Sequence, residues 1–493
     1  MNVRNKIDEL TVEKRAYING RYVDAISGKV IKKTSSIDGS DLSGVASCDV
    51  EDVNIAVQVA KEAFESGIWS RASHMNRKEV LLRLANLMEE NRETLAILDT
   101  YETGRAYKNY YEDSIPKAIE ALRYFAESID KYYDAAIPSD STEFGIVKKV
   151  PLGVVGLITP WNDPMVVSAW KYGPALAMGN SVILKPAEQS SLSAIYLAKL
   201  TKEAGIPDGV FNVITGYGET AGKALALHKD VKGIFFTGSS EVGKKIMKYA
   251  GESNMKKVGL ECGGKGPYIV TDLCKAVKES AKVLAGNMFY NQGQICSAPS
   301  RVIISEKKYD EFIETLKSEC ERYVPGDPFD DQNNVGCVVS REQYEKVQNY
   351  IEEGIKSGAE VYSAKGEKKH HKDACCINPT IISGIDTDNR LAREEIFGPV
   401  VVVLKAKDTE DAIKIANDSN YGLAGAVWTD DLDEAFYVAE RVEVGLFHIN
   451  SYGNDDNRSP FGGVKESGLG KDKSMYAFDE YSDLKSVWVH IKR

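Results

Sequence analysis

Histidine is scarce in this sequence, and its cysteines do not fall into metal-binding patterns. The 493 residues include six histidines, and none stands in a recognisable cysteine–histidine signature. The eight cysteines form no CxxC pair and no zinc spacing, and the adjacent Cys375 and Cys376 would be poor ligands or bridge partners for each other. We therefore expect reduced thiols, as in a cytosol, and no metal site.

Long apolar runs and an excess of basic charge are also missing. The longest apolar run, residues 400–404, is far too short to span a bilayer, and residues 1–6 lack the apolar stretch of a signal peptide. The 62 basic residues against 73 acidic ones give a net charge of −11, which disfavours nucleic acid or an anionic membrane as a partner. Hydrophobic content of 43% and charged content of 27% are typical of a globular protein, and we predict a cytoplasmic location.

Apolar runs and helical patterns alternate in two parts of the chain. A chain of 493 residues is too long for one core, so two or three domains are expected. The alternation between residues 153 and 263 predicts the α/β class, with a doubly wound parallel sheet whose ligands bind at the carboxyl ends of the strands. A second alternation, between residues 265 and 445, predicts a second α/β domain.

The two ends of the chain show other local patterns. Asn19-Gly20 supplies the positive φ angles of a tight hairpin turn. The predicted elements are a hairpin at 17–23, helices at 53–69, 77–101 and 116–133, and a strand at 143–150. Residues 481–491 are predicted to form a terminal strand that pairs with another subunit.

Cys296 is the best candidate for a covalent nucleophile, and Glu261 is the best candidate for its base. Cys296 lies in a loop between a helical pattern and a β-branched run, where reacting groups often lie. A free thiol has a pKa of about 8.5, so a neighbour must lower this pKa or accept the proton. Glu261 precedes Cys262 and a glycine pair that permits close approach, and its carboxylate could activate the water that hydrolyses a thioester. From the residues alone, either cysteine could instead be a packed hydrophobic side chain.

A glycine turn between a strand and a helix is a candidate phosphate site. Gly238, Ser239 and Gly243 lie at this junction, where free N–H groups and the positive end of a helix dipole suit a pyrophosphate. The spacing G-x-x-x-x-G differs from G-x-G-x-x-G and supports dinucleotide binding only weakly. Asn162 lies just before a helix, and on this pattern alone it could simply be the helix cap.

Over nearly its whole length the chain resembles the NAD(P)-dependent aldehyde dehydrogenase superfamily. The Gln-Gly-Gln-Ile-Cys segment ending at Cys296 and the Leu-Glu-Cys-Gly-Gly-Lys segment starting at Leu260 are similar to its two signature motifs. The resemblance implies a dinucleotide-binding domain of residues 1–133 and 151–263, a catalytic domain of residues 264–466, and a small β oligomerisation arm with a C-terminal strand from residues 134–150 and 467–493.

The resemblance also implies roles for particular residues. The catalytic residues would be Cys296 as the nucleophile, Asn162 as an oxyanion donor beside the Cys296 N–H, Glu261 as the base, and Lys171 as a proton relay with Asp472, where many members have glutamate. The cofactor-binding residues would be Ile158, Thr159, Pro160, Trp161, Lys185, Glu188, Gly218, Gly222, Phe236, Thr237, Gly238, Ser239, Val242, Gly243, Leu260, Glu395 and Phe397. The substrate-lining residues would be Asp163, Trp170, Ile295, Ser297 and Phe461.

The resemblance makes NAD the expected cofactor. Lys185 and Glu188 would reach the hydroxyl groups of its adenosine ribose. At about 4 Å and an effective dielectric constant near 20, each pair of like charges costs on the order of 4 kcal/mol. A carboxylate facing the extra phosphate of NADP should therefore favour NAD, with NADP the less favoured cofactor.

Two acidic features bear on the choice of aldehyde. Asp163 occupies a position that is often aromatic in the family, and residues 454–458 of the expected entrance loop read Asn-Asp-Asp-Asn-Arg. One hypothesis is that these acids attract a cationic aldehyde, such as an ω-aminoaldehyde, and the alternative is a solvated surface turn. Residues 470–474 and 484–488 resemble the branch that acts on γ-glutamyl-γ-aminobutyraldehyde and other amine-derived aldehydes.

Two rival functions remain open at this point. A CoA-acylating semialdehyde dehydrogenase would pass the acyl group to coenzyme A, although Glu261 favours water as the acceptor. A non-catalytic binding protein on the same scaffold is the second rival, and the filled positions Cys296, Glu261 and Asn162 argue against it. The expected partners are a small aldehyde and further copies of the chain in a homodimer or homotetramer.

Overall fold

The computed structural model describes Ile7, Leu10 and residues 12–492. Residues 1–6, whose sequence lacks an apolar stretch, lie outside the described residues. Two large β-sheets with helices packed against them form most of this part of the chain, and a three-stranded sheet accompanies them. The predicted α/β class is confirmed.

The strands of the described part are two to nine residues long. In chain order they are β1 (Ala16–Ile18), β2 (Arg21–Val23), β3 (Val30–Ile31), β4 (Val45–Ala46), β5 (Ala135–Ile137), β6 (Glu143–Pro151), β7 (Val154–Ile158), β8 (Ser181–Lys185), β9 (Phe211–Val213), β10 (Val231–Gly238), β11 (Lys257–Cys262), β12 (Pro267–Val270), β13 (Arg301–Ser305), β14 (Glu360–Ser363), β15 (Thr380–Ser383), β16 (Val400–Ala406), β17 (Tyr421–Gly422), β18 (Ala424–Trp428), β19 (Leu446–Ile449), β20 (Val464–Lys465), β21 (Gly468–Leu469) and β22 (Ser482–His490).

The α-helices separate most of these strands. From residue 12 onward they are α1 (Val50–Ser66), α2 (His74–Glu90), α3 (Arg92–Thr103), α4 (Tyr107–Asn109), α5 (Ile115–Ser128), α6 (Pro164–Ala177), α7 (Leu192–Ala204), α8 (Lys223–Leu227), α9 (Ser240–Ser253), α10 (Val277–Phe289), α11 (Tyr309–Cys320), α12 (Arg341–Lys356), α13 (Arg390–Arg393), α14 (Thr409–Asn417), α15 (Leu432–Arg441) and α16 (Ala477–Glu480). Among the described residues, no helix combines the length and the apolar character needed to cross a membrane.

The first large sheet has the strand order β2-β1-β9-β8-β7-β10-β11-β21. Its five strands from β9 to β11 run parallel. Every residue of β7 and β8 is buried, as expected for strands covered on both faces. The strand order reverses at β7, so the crevice beyond the carboxyl ends of β7 and β10 is where a doubly wound sheet binds its ligand.

The second large sheet has the order β14-β15-β16-β13-β12-β18-β19, and all of it except β14 is parallel. Only residues 263–266 connect β11 of the first sheet to β12 of the second. The carboxyl edge of the first sheet therefore meets the amino edge of the second. Cys296, which precedes β13, and Glu395, which precedes β16, both belong to that amino edge.

The C-terminal strand belongs to the three-stranded sheet, whose order is β22-β6-β5. β22 pairs antiparallel with β6 over nine residues, from Ser482 opposite Pro151 to His490 opposite Glu143. The predicted strand is therefore present, and within the chain it pairs with β6; its pairing with a second subunit stays a prediction. The short strand β21 pairs instead with β11 of the first sheet. The domain limits at 133, 150, 263 and 466 stay a prediction.

Two local predictions have different outcomes. The hairpin is confirmed, because β1 pairs with β2 and the turn residues Asn19 and Gly20 have φ angles of 52° and 74°. The single helix at 77–101 is wrong, because Asn91 separates α2 from α3. The Asn91 side-chain amide donates to the Leu87 carbonyl oxygen at 2.8 Å, and such local bonds compete with helix continuation.

Candidate active site

Cys296 follows a strained loop that leads from α10 toward β13. Asn291, Gln292 and Gly293 have φ angles of 50°, 55° and 69°, which are all left-handed. A non-glycine residue in this region costs about 1–2 kcal/mol, so neighbouring contacts must hold the loop. The Asn291 side-chain amide supplies one of them, because it donates to the carbonyl oxygen of Asn162 at 2.9 Å. The loop thus ties the region of the nucleophile to the other sheet.

Glu261 is buried near the carboxyl end of β11. Neither of its carboxylate oxygens has a hydrogen-bond partner within the described part of the chain. Burial raises the pKa of Glu261 well above its ordinary value, and the charge of Asp472 adds to this effect, whereas the Lys171 ammonium opposes it. A carboxylate with a raised pKa is a stronger proton acceptor than one in water.

The Cys296 thiol and the Glu261 carboxyl are close enough to change each other's proton affinity. Burial raises the pKa of the Cys296 thiol well above its ordinary value, and the negative charges of Glu261 and Glu395 raise it further. The thiol therefore keeps its proton until a base takes it. The Glu261 carboxyl is the group beside it that could accept this proton.

Asn162 places its side-chain amide, held in one orientation, near Cys296. Its side chain is buried, and its Nδ2 donates to the carbonyl oxygen of Gln294 at 3.0 Å. An amide nitrogen carries two hydrogens, so this bond fixes the orientation of the group while one hydrogen stays available. Asn162 and Cys296 line one cavity, where that hydrogen can meet a bound oxygen atom.

This cavity has a volume of about 210 Å³ and lies where the two sheet edges meet. Its further lining residues include Pro160 and Trp161 after β7, Thr237, Gly238 and Ser239 around the end of β10, and Glu395 and Phe397 before β16. Ser239 caps α9 by accepting a hydrogen bond from the Val242 N–H at 3.3 Å, so the positive end of this helix points toward the cavity. The buried Thr237 hydroxyl has no partner among the described residues. A polar, phosphate-bearing ligand would satisfy both features.

On the side of the second sheet, the wall of the cavity is formed by Glu395 and Phe397. The Gly264 N–H donates to Glu395 Oε1 at 2.8 Å, and burial raises the pKa of Glu395 to about 7. A Cβ atom at Gly263 would overlap this carboxylate, which would then have to shift. Phe397 has a left-handed φ of 56°, and its ring meets the Trp161 ring edge-on at 5.3 Å.

Lys185 and Glu188 lie farther along the same crevice. The buried Lys185 ammonium is 3.7 Å from the Glu188 carboxylate and donates to the Pro186 carbonyl oxygen at 2.9 Å. Lys33, which sequence reasoning missed, donates to the Glu188 carbonyl oxygen at 3.4 Å and pairs with the buried Glu102 carboxylate. Lys33 is far from Glu188 in sequence and belongs to no motif, so only the fold reveals it.

The other predicted cofactor residues divide into two groups by exposure. The buried ones are Ile158, Thr159, Gly222, Phe236, Gly243 and Leu260, and the exposed ones are Gly218 and Val242. Ile158, Phe236 and Leu260 pack in one hydrophobic core, which supports the floor of the crevice. The binding role of each of these residues stays a prediction.

The sequence profile described as "Aldehyde dehydrogenase family" matches residues 22–487 of this chain. The chain belongs to the aldehyde dehydrogenase family. It is an NAD-dependent enzyme that oxidises an aldehyde to a carboxylic acid.

Two curated relatives of this aldehyde dehydrogenase are similar along almost their whole length. The NADP/NAD-dependent aldehyde dehydrogenase PuuC of Escherichia coli K12 is 42% identical over 489 residues, which cover 99% of this chain and 98% of PuuC. The aminoacetaldehyde dehydrogenase of Pseudomonas aeruginosa PAO1 is 40% identical over 481 residues, which cover 97% and 96% of the two chains.

Solved structures agree with the fold of this aldehyde dehydrogenase. A cysteine-to-alanine variant of the P. syringae indole-3-acetaldehyde dehydrogenase AldA, in complex with NAD+ and IAA, gives a TM-score of 0.97 at 43% identity, with 99% of each chain covered. The γ-glutamyl-γ-aminobutyraldehyde dehydrogenase of Burkholderia cenocepacia gives 0.96 at 43% identity, with the same coverage.

The substrate-lining residues predicted for this aldehyde dehydrogenase surround Cys296 only in part. Ile295 and Ser297 flank it in the chain, and the Tyr452 hydroxyl donates to the Ser297 carbonyl oxygen at 2.6 Å. The Trp170 and Phe461 rings are 5.2 Å apart and contact each other. The buried Lys473 ammonium lies 5.4 Å from the Trp170 ring and 5.7 Å from the Phe461 ring.

The acids that were expected to attract a cationic aldehyde all have basic partners. Asp163 is 3.2 Å from the buried Arg105 guanidinium, which sequence reasoning missed. Asp455 pairs with Lys473, and the Asp456 carboxylate is 2.5 Å from the Arg458 guanidinium. Because these partners cancel most of the negative charge, the geometry does not support the electrostatic argument for a cationic substrate.

Proposed function

We propose that Cys296 is the nucleophile of this aldehyde dehydrogenase and that Glu261 is its base. The observation that carries the proposal is that Cys296 and Asn162 line one cavity while the buried Glu261 carboxyl lies close enough to Cys296 to raise the pKa of its thiol, although the three residues lie far apart in sequence. Transfer of the thiol proton to Glu261 would leave a thiolate that adds to the aldehyde carbon. The thiohemiacetal oxyanion would accept hydrogen bonds from the Asn162 amide and the Cys296 N–H. Losing one such donor typically costs about 3–4 kcal/mol.

The remaining chemistry needs an electron acceptor and a water molecule. NAD supplies the hydride acceptor when it is bound, and Thr237, Ser239, Glu395 and Phe397 would hold it in the cavity. Glu261 would then deprotonate water, and the resulting attack releases the carboxylic acid from the Cys296 thioester.

We further propose that the preferred substrate is an amine-derived aldehyde. Two of the similar proteins are named for such substrates, aminoacetaldehyde and γ-glutamyl-γ-aminobutyraldehyde. A third is named for indole-3-acetaldehyde, so the choice must be tested directly. The test compares kcat/KM for 3-aminopropanal, γ-glutamyl-γ-aminobutyraldehyde, indole-3-acetaldehyde and propanal. We expect at least one of the first two to exceed propanal about tenfold, and equal values or a preference for propanal would contradict this substrate class.

We also propose a homodimer or homotetramer in the cytoplasm. The sheet formed by β5, β6 and β22 carries exposed apolar side chains on both faces, with Leu484 and Trp488 on one and Phe144 and Val489 on the other, and exposed apolar groups of this kind mark interaction surfaces. All eight cysteines are free, which suits a reducing compartment. The molar mass from light scattering and cell fractionation test the two statements, and a monomer or a secreted enzyme would contradict them.

The central experiment replaces the nucleophile. In Cys296→Ala we expect NADH formation from every aldehyde to fall at least 1,000-fold while NAD binding and Tm stay close to wild type. The matched control is Cys376→Ala, because Cys376 is also partly exposed but does not line this cavity. Unchanged turnover in Cys296→Ala would disprove the mechanism.

A further inference from the structure

Two loops outside the active site bring a pair of cysteines together. The Val338 N–H donates to the Cys375 carbonyl oxygen at 3.0 Å, and this bond sets the segment around Cys337 beside the segment around Cys376. The Cys337 and Cys376 sulfur atoms are 3.5 Å apart. A disulfide has an S–S length of about 2.05 Å, so the two sulfurs need to approach by only about 1.5 Å.

The two thiols differ in their access to solvent. Cys337 is fully buried, whereas Cys376 is partly exposed and lines a cavity of about 420 Å³ together with Lys368 and His370. Proximity to Cys376 and burial raise the pKa of Cys337. A small oxidant would therefore meet Cys376 first, and Cys337 would be the second thiol to react.

The segment around Cys337 also supports the loop of the nucleophile. The Val339 N–H donates to Gln294 Oε1 at 3.0 Å. The Gln292 side chain, with its amide oriented to match both partners, donates to the Cys337 carbonyl oxygen at 2.9 Å and accepts from the Gly336 N–H at 2.8 Å. Two of these hydrogen bonds reach Gln292 in the left-handed stretch, and the third reaches Gln294, which lies between that stretch and Cys296. A displacement of Cys337 would be transmitted to that stretch.

We propose that Cys337 and Cys376 are a thiol–disulfide modification site that reacts with a hydroperoxide and lowers the activity at Cys296. The Cys376 sulfur attacks the peroxide, so that an S–O bond forms, the O–O bond breaks and one water leaves with a sulfenic acid remaining on Cys376. The Cys337 sulfur then attacks this sulfur, the S–S bond forms, and the oxygen leaves as a second water. The two thiols lose two electrons, which reduce one hydrogen peroxide to two waters.

The disulfide is expected to slow catalysis because it moves the Cys337 segment by about an ångström. A misplacement of about 1 Å at a reacting group can lower its rate by up to about 100-fold. We expect at least a fivefold fall in kcat/KM that a dithiol reductant reverses. The cross-link itself does not depend on the proposed substrate or on the proposed mechanism.

The first experiment detects the cross-link in a variant that lacks Cys296, so that oxidation of the nucleophile cannot interfere. The full-length Cys296→Ala protein is treated with hydrogen peroxide, its remaining thiols are alkylated, and its peptides are mapped by mass spectrometry. We expect a peptide pair joined through Cys337 and Cys376 that dithiothreitol separates, and no such pair in Cys296→Ala/Cys376→Ser. The matched control Cys296→Ala/Cys375→Ser should keep the cross-link. Full alkylation of Cys337 and Cys376 after peroxide treatment, or a bridge between Cys375 and Cys376, would overturn the site.

The second experiment measures the coupling to activity. Untreated Cys376→Ser and Cys376→Ala should show wild-type NADH formation. After peroxide treatment the wild type should lose at least fivefold more activity than either variant, and dithiothreitol should restore the difference. Equal losses in the wild type and both variants would overturn the coupling, because they would assign the whole effect to oxidation elsewhere.

Discussion

The Lys171 ammonium lies 2.8 Å from the Asp472 carboxylate, and both side chains are buried. Together with Glu261 they line a small cavity of about 10 Å³, which is close to the space that one water molecule needs. The Asp472 side chain is shorter than a glutamate side chain, yet it reaches the lysine. We propose that this arrangement gives Glu261 a proton path that leads away from Cys296.

Asp472→Asn should slow the release of the proton that Glu261 takes from water. We expect kcat to fall about tenfold, at the low end of what proton-transfer groups contribute, while KM for NAD changes little. The substitution also leaves the Lys171 charge buried without its partner, a change that typically costs about 3–5 kcal/mol of stability. Steady-state kinetics and thermal unfolding measure the two effects. Asp472→Glu restores the carboxylate and should recover most of kcat, so equal losses in both variants would argue against a proton path.

The raised pKa of Glu261 predicts how activity depends on pH. Below this pKa the carboxyl group carries a proton and cannot accept one from water, so kcat should rise with pH through a value above the ordinary 4.5. In Glu261→Gln we expect the first equivalent of NADH to form more slowly, because Glu261 is also the proposed base for the Cys296 thiol, and the steady-state rate to fall at least about 100-fold. Rapid-mixing kinetics from pH 5 to pH 9 test this, and an unchanged steady state would contradict the role of Glu261.

The same group predicts a change in stability. The folded state holds the Glu261 proton more tightly than the unfolded state, so this group's stabilising contribution is full at low pH and is lost as pH rises above about 4.5. Glu261→Gln stays neutral at every pH. Its Tm relative to wild type should therefore increase as pH rises from about 4.5 toward the folded-state pKa, and a constant difference would contradict the raised pKa.

Glu188→Gln should weaken the preference for NAD over NADP. The Glu188 side chain is about one-third exposed, and Lys185 lies 3.7 Å away, so solvent and the ammonium both reduce its repulsion of a phosphate. We expect kcat/KM for NADP to rise about tenfold, which is less than the unscreened Coulomb cost would give. Glu252→Gln, on the exposed face of α9, is a control of equal charge change and should leave the ratio unaltered.

Gly263→Ala should disturb the wall of the cofactor cavity. The added methyl group would overlap the Glu395 carboxylate, which must move and lose its hydrogen bond from the Gly264 N–H. We expect KM for NAD to rise about tenfold, equivalent to about 1.4 kcal/mol of binding free energy. Gly251→Ala is the control, because open space surrounds this helical glycine and alanine should stabilise α9 by about 0.5–1 kcal/mol. Titration with NAD separates the two variants.

The sequence predicted the parts of the site that local pattern determines. Cys296 and Glu261 follow from motifs, and the alternation of apolar runs predicts the parallel sheet whose strand ends carry Thr237 and Gly238. The sheet prediction is confirmed because it depends on neighbours within about ten residues, whereas the roles of Cys296 and Glu261 stay predictions. The cavity that unites them depends on the short link 263–266, and its role in setting one sheet edge against the other became visible only in three dimensions.

Pairings between distant residues could not be predicted from the sequence. Arg105 neutralises Asp163, Lys33 approaches the Glu188 carbonyl, and Cys337 meets Cys376, yet no spacing rule connects any of these pairs. From its residue type alone, Asp163 was expected to present an uncompensated negative charge. The Arg105 guanidinium beside it balances this charge. Errors of this kind affect charged residues, because one buried partner of opposite charge cancels the electrostatic effect that the residue type suggests.

The tail of the chain borders the strand that carries the base. Gly468 pairs with Glu261, and the Cys262 N–H donates to the Ser467 carbonyl oxygen at 2.8 Å. Nearly the whole polypeptide must therefore be synthesised before this enzyme can complete its first catalytic cycle. Premature termination near residue 460 would leave β11, which carries Glu261, without its neighbouring strand β21.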